Sequence, residues 1–136
     1  MSCMRSGRGG EIMAEIYFTK EHEWVRLQDG VGVVGISEHA AQELGDVTFV
    51  ELPKIGVKVG QFDLLGSIES VKAASDIFAP VSGTVVKVNG ELEGAPELVN
   101  ESPWDRGWMA WLELDDATEL EKLMTEEQYA CYLKSL

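Results

Sequence analysis

The feature that most constrains this fold is the rhythm of its turns. Between Ile16 and Leu114 the apolar and β-branched runs are four to seven residues long, cut by Gly, Pro, Asp-Gly and Asn-Gly. Parallel strands need a crossover of a dozen or more residues, usually helical, and little room is left for one. Short strands with tight turns mean an antiparallel barrel or sandwich. The expected strands are Tyr17-Phe18, Trp24–Leu27 and Val31–Gly35, the last two joined at Asp29-Gly30, a hairpin signal. Val47–Val50 follows and ends at Leu52-Pro53. Val57–Val59 lies between Gly56 and Gly60. Phe62–Ile68 is apolar enough to predict burial on both faces. Ile77–Pro80 and Thr84–Val88 lead to a predicted tight turn at Asn89-Gly90. Leu92, Leu98 and Val99 are short apolar marks, and Trp108–Leu114 reads as the last strand.

Two places break this pattern. Ser37 is a good N-cap, Glu38 suits the positive end of a helix, and Gly45 can close it, so a short internal helix is predicted. At the C-terminus Asp116-Ala-Thr-Glu119 and Thr125-Glu-Glu-Gln128 resemble capping boxes. Tyr129, Tyr132, Leu133 and Leu136 then recur at helical spacing. Two short helices docked on the sheet are predicted, with the aromatic stripe facing the core.

The chain has 136 residues, enough for one domain. Residues 1–12, with Arg5, Arg8 and glycines but no apolar stretch, read as a disordered tail. Residues 13–136 read as a single domain. Acids outnumber bases 24 to 11, a net charge of −13. That argues against nucleic acid, whose phosphates need clustered Lys and Arg, and against anionic membrane surfaces. It fits encounters with partners that carry basic patches. No apolar run approaches the ~18 residues of a membrane helix.

No catalytic constellation is visible. His22 and His39 have no metal-ligand spacing, and His22, between Glu21 and Glu23, reads as a charged surface position. Cys3 and Cys131 also lack ligand spacing, and Cys131 is expected as a small core residue. Nucleophile elbow, P-loop and dinucleotide fingerprint are all missing. Such a chain is better suited to carry a reactive group than to make one.

The segment Glu69-Ser-Val-Lys-Ala-Ala-Ser-Asp76 is the place to carry it. A lone lysine in a loop is ordinarily a solvated charge. Lys72, however, sits between two strand-like runs, flanked by Glu69, Ser70, Val71 and Ala73. The small Ala73, Ala74 and Ser75 leave it sterically open. An enzyme that must grip a lysine needs it on a rigid tip with little bulk beside it.

These residues also resemble a known family. The stretch around Lys72 occurs with Thr19-Lys-Glu-His-Glu-Trp-Val25, Val34-Gly-Ile36, Leu44-Gly-Asp-Val47, Val50-Glu-Leu-Pro53, Ala79-Pro-Val-Ser-Gly83, Val88-Asn89, Pro96-Glu-Leu-Val-Asn100 and Gly107-Trp108. In that order and spacing they resemble the glycine cleavage system H-proteins, the lipoyl carriers of that system. The resemblance implies a mainly β hybrid barrel-sandwich of the lipoyl/biotinyl type, with a short internal helix and C-terminal helices. It implies lipoic acid in amide linkage on Lys72 and no catalytic site in the chain itself. The implied partners are the pyridoxal-phosphate glycine decarboxylase (P-protein), the aminomethyltransferase (T-protein), dihydrolipoyl dehydrogenase (L-protein) and a lipoate-attaching enzyme. Family members fold a loaded, cationic arm into a surface cleft, for which Glu23 and Asp76 are the matched carboxylates. Glu21 departs from the small polar residue common there. The implied setting is the cytoplasm, or the mitochondrial matrix in a eukaryote.

Three rivals share the fold. A biotin carrier would place methionines beside the lysine, where Val71 and Ala73 stand. A lipoyl domain of a 2-oxoacid dehydrogenase would lack the His-Glu-Trp start and the helical tail. An H-like protein that mainly donates lipoyl groups to other enzymes would look nearly the same.

Overall fold

The computed structural model describes residues 16–28 and 30–136; the expected tail at 1–12 and Asp29 of the Asp-Gly turn lie outside them. Strands β1 (Ile16–Phe18), β2 (Glu23–Gln28) and β3 (Val31–Ile36) open the fold, followed by helix α1 (Glu38–Leu44). Strands β4 (Val47–Glu51), β5 (Lys58–Val59), β6 (Leu64–Ser70), β7 (Ala74–Phe78) and β8 (Gly83–Val88) come next. Short helices α2 (Glu91–Gly94) and α3 (Leu98–Glu101) lead to β9 (Ala110–Leu114). A 3-10 helix (Ala117–Lys122), β10 (Met124–Thr125) and α4 (Glu126–Lys134) finish it.

Every pairing is antiparallel, as short connections demand. The larger sheet runs β10-β1-β2-β3-β9-β8-β5 and the smaller β4-β6-β7. Together with the helices they make the mainly β barrel-sandwich that the family resemblance implies, in keeping with the antiparallel barrel or sandwich predicted from the turn rhythm.

The β2–β3 hairpin forms as expected, pairing Trp24 with Gly35 and Gln28 with Val31, and Gly30 supplies the positive φ of +81°. From Gly32 to Ile36 β3 is buried on consecutive residues because both of its faces are covered. One face meets Val25, Leu65, Val81, Val85 and Leu112. The other carries Phe18, Trp24 and Val33 beneath Tyr129 of α4. Gly35 is required for space. A Cβ there would stand 2.5 Å from Cζ2 of Trp24, whose indole N–H donates to the Ile36 carbonyl at 2.7 Å.

The smaller sheet closes a second core with α1, α2 and α3. Ile36, Leu44, Val47, Val50, Ile68, Ile77, Leu92, Leu98 and Met109 meet there. Both predicted caps form: Ser37 Oγ accepts from Ala40 N, and Gly45 ends α1 with φ +75°. Thr125 and Gln128 make the reciprocal capping box of α4, and Asp116 caps the 3-10 helix.

Several readings are corrected. Phe62–Ile68 is not buried on both faces: Leu64 and Phe62 are exposed, while Leu65 and Ile68 point inward, because one face of this small sheet meets solvent. Asn89-Gly90 does turn, with the Leu92 N–H on the Asn89 carbonyl at 3.2 Å, but the turn opens a helix instead of joining two strands. Gly90 has a helical φ of −63° and starts α2, while buried Asn89 donates to the carbonyls of Arg106 and Trp108. Leu98 and Val99 likewise lie on a helical turn. On α4, Tyr129 is buried but Leu136 is 67% exposed, beyond the last turn. Cys131 is half-buried and is not a free core thiol. Among the described residues no helix is long and apolar enough to cross a membrane.

Candidate functional site

The hairpin of β6 and β7 pairs Leu64 with Phe78 at its base and Glu69 with Ala74 near its tip. Lys72 stands at the apex. Ser70 builds the turn: its backbone N–H donates to the Ala73 carbonyl at 2.8 Å, and its hydroxyl accepts the N–H groups of Lys72 (3.2 Å) and Ala73 (3.1 Å). That hydroxyl also donates to the Ala73 carbonyl at 3.1 Å. One small side chain thus satisfies backbone groups that the tight reversal would otherwise leave to water.

The apex is also tied to the body of the protein. The Val71 N–H donates to the Asp46 carbonyl at 3.0 Å, one step beyond the Val47–Ser70 pair of β4 and β6. The Lys72 stem crosses Gly45, where an added Cβ would come within 2.9 Å of Cε and 3.6 Å of Nζ. Lys72, Val71, Ala73 and Glu69 are all exposed, and Ser70 is half-buried. Among the described residues no ion pair or side-chain hydrogen bond holds the Lys72 ammonium. Converting this amine to an amide would therefore remove a charge on which no ion pair among the described residues depends.

The two carboxylates proposed for an arm cleft occupy different settings. Asp76 is exposed on β7, opposite Ser67. Glu23 is only 1% exposed. Its Oε1 accepts from Thr19 Oγ1 at 2.5 Å, and its Oε2 accepts the Phe78 N–H at 3.0 Å. Phe78 belongs to β7, the end strand of the smaller sheet, so the carboxylate caps an N–H on an otherwise unpaired edge. Burial pushes the Glu23 carboxyl up to about 7, against the opposing pull of the Phe78 and Thr19 hydrogen bonds. Glu21, the departure from the family pattern, is exposed beside it.

His22 is not the charged surface residue its neighbours suggest. It takes a left-handed φ of +72°, and its Nδ1 lies 2.7 Å from the Tyr129 hydroxyl, which is also 2.7 Å from Ser37 Oγ. The His39 ring stands 4.6 Å away, centroid to centroid. Burial, then the His39 charge, lowers the His22 pKa, while Glu21 and Glu43 oppose the shift. Beside this loop an apolar groove of about 700 Å³ is lined by Phe18, Phe62, Phe78, Leu123 and Met124, with Lys20 and Glu21 among its polar lining. Among the described residues no group of three or more metal-ligating side chains converges.

Residue reading alone did not reach the supports of the hairpin. Asn100 and Asp46 contact their partners through folding rather than through local pattern. The Asn100 side chain meets residues more than fifty positions away in sequence.

Comparison with known proteins agrees with this geometry. Residues 16–136 match the family described as Glycine cleavage H-protein. A glycine cleavage system H protein from Brevibacillus brevis is 48% identical over 124 residues, covering 91% of this chain and 98% of that protein. One from Staphylococcus epidermidis is 47% identical over 119 residues, covering 88% of this chain and 94% of its own. The crystal structure of a glycine cleavage system H protein from Mycobacterium marinum superposes with a TM-score of 0.82 at 32% identity, covering 90% of this chain and 99% of that one. With a matched family profile across both sheets and the lysine hairpin, the chain belongs to the glycine cleavage H-protein family.

Proposed function

We propose that residues 13–136 form a single lipoyl-carrier domain in which Lys72 is joined through an amide to lipoic acid. The carrier passes the aminomethyl group of glycine from the P-protein to the T-protein, and the L-protein restores it. The observation that carries this reading is an exposed lysine, in no ion pair among the described residues, on a hairpin apex held by backbone groups and the Ser70 hydroxyl. The residues present fit the group: the neighbours of Lys72 are small, and glycine lies beneath its stem. When bound, the dithiolane supplies reversible sulfur chemistry, and the protein supplies position. The chain needs no catalytic site of its own for this work. Its net charge of −13 favours encounter with enzymes whose entrances carry Lys and Arg. A bacterial carrier of this kind would work in the cytoplasm, without nucleic acid or membrane as partner.

Asp76 and Glu23 are the carboxylates proposed to receive the cation of a loaded arm. Asp76 is open to it. Glu23 meets it by giving up the Phe78 N–H or by sharing an oxygen. A cation arriving beside a buried carboxyl favours its ionised form, so docking would release a proton near neutral pH.

Intact mass after incubation with a lipoate-attaching enzyme tests the attachment. One lipoyl group on the parent and none on Lys72→Arg is expected; modification that persists in the variant contradicts it. The lipoylated protein is expected to support exchange of labelled carbon dioxide into glycine with a competent P-protein. Its failure there would favour the lipoyl-donor role instead.

A further inference from the structure

Asn100, on α3, spans the loop between α1 and β4. Its Nδ2 donates to the Gly45 carbonyl at 2.7 Å and to the Ala41 carbonyl at 3.3 Å. Its Oδ1 accepts the Val47 N–H at 2.9 Å. These bonds bracket Asp46 from both sides. They satisfy the Gly45 carbonyl past the end of α1 and the first N–H of β4, and add a second donor to the Ala41 carbonyl, which already accepts the Gly45 N–H at 3.2 Å. Between the brackets, Asp46 has its own carbonyl turned to the Val71 N–H. Gly45 lies under the stem of Lys72.

One three-residue segment therefore has two sides. On one side Asn100 holds it, and on the other it holds the lysine hairpin. We infer that Asn100 is a positioning residue for Lys72: by fixing Gly45–Val47 it sets the height and direction at which the lysine leaves the protein. Gly45 contributes the clearance: its φ of +75° disfavours any other residue, and an added Cβ would push the Lys72 stem aside. The base of the same hairpin, at Leu64 and Phe78, is supported separately, through Glu23 and Phe62. Loss of the clamp is thus expected to loosen the apex and leave the base in place. An attaching enzyme must bring the amine to a fixed point in its own site, and an apex without its seat reaches that point less often.

The kinetic part of this inference rests on the proposed attachment at Lys72, and the structural part does not. The experiment uses the full-length unmodified protein with Asn100→Asp and Asn100→Ser. Both remove the two donations to carbonyls, and the second adds no charge. Amide hydrogen exchange is followed at Val71 and at the base residues Leu64 and Phe78. Protection at Val71 is expected to fall by about tenfold, the scale of one net hydrogen bond, with the base unchanged. The rate of enzymatic lipoate attachment is expected to fall mainly in kcat, with KM little altered. Unchanged protection at Val71 in both variants overturns the inference. Equal loss at apex and base in both also overturns it, because Asn100 would then hold the fold and not the lysine. If the parent protein accepts no lipoyl group, the attachment reading fails, while the Val71 measurement still decides the role of Asn100.

Discussion

The Glu23 carboxylate on β2 accepts the Phe78 N–H on β7 at 3.0 Å. One buried side chain thereby joins the larger sheet to the free edge of the smaller one. The contact lies at the opposite end of the lysine hairpin from the seat at Asp46, so the hairpin is tied at base and apex by groups from different elements.

Glu23 is expected to make stability depend on pH in an unusual direction for a carboxylate. Its folded pKa is raised to about 7 from an ordinary value of 4.5, chiefly by burial. Between those values the folded chain keeps a proton that the unfolded chain releases. The contribution is fully present below pH 4.5 and is lost as the pH rises through 7, up to ~3 kcal/mol in all. Glu23→Gln is expected to flatten that part of the profile in urea unfolding. An unchanged slope would place the effect on another group.

His22 works in the other direction. Its folded pKa is lowered, first by burial and then by the charge of His39, while Glu21 and Glu43 act against the shift. Its contribution is fully present above the ordinary value of 6.5 and is lost as the pH falls through the folded pKa. An NMR titration of the His22 ring should give a midpoint below 6.5. Tyr129→Phe removes the hydroxyl shared with His22 and Ser37 and is expected to cost about 1–3 kcal/mol. A midpoint at or above 6.5 would show that the ring is solvated.

Gly35→Ala should be among the more damaging single-methyl additions. The Cβ would meet the Trp24 ring at 2.5 Å, and the indole is fixed by its bond to Ile36. Overpacking of this kind costs about 1–3 kcal/mol. Trp24→Phe should partly relieve it, so the double variant is expected to be less unstable than the two single effects added together. Simple additivity in thermal unfolding would argue against the contact.

Thr125→Ala tests the docking of α4. It removes the side-chain half of a capping box at an exposed helix start and is expected to cost about 1 kcal/mol. The loss should appear in the near-ultraviolet signal of Tyr129 and Phe18, whose rings stack at 4.2 Å.

Local chemistry was the readable part of this chain. Ser37, Gly45, Thr125 and Gly30 act within a few residues of themselves, and each does what its type predicts. The β6–β7 hairpin was legible because its runs are separated by small turn residues, and the exposed apex position of Lys72 because Ala73, Ala74 and Ser75 follow it. Asn89-Gly90 turns as its residues predict, but the turn leads into α2 and not into a strand, with the buried Asn89 side chain bound to two carbonyls across the chain. His22 misled because its charged neighbours in sequence are not its neighbours in space. Burial of Glu23 and the reach of Asn100 depend on contacts made only after both sheets have closed, and no local pattern announces them.

The apex is fastened almost wholly by main-chain atoms and one serine hydroxyl, so Val71, Lys72 and Ala73 spend no side chain on holding it. These three residues are left as a legible tag. The letters can change without loosening the post that displays them.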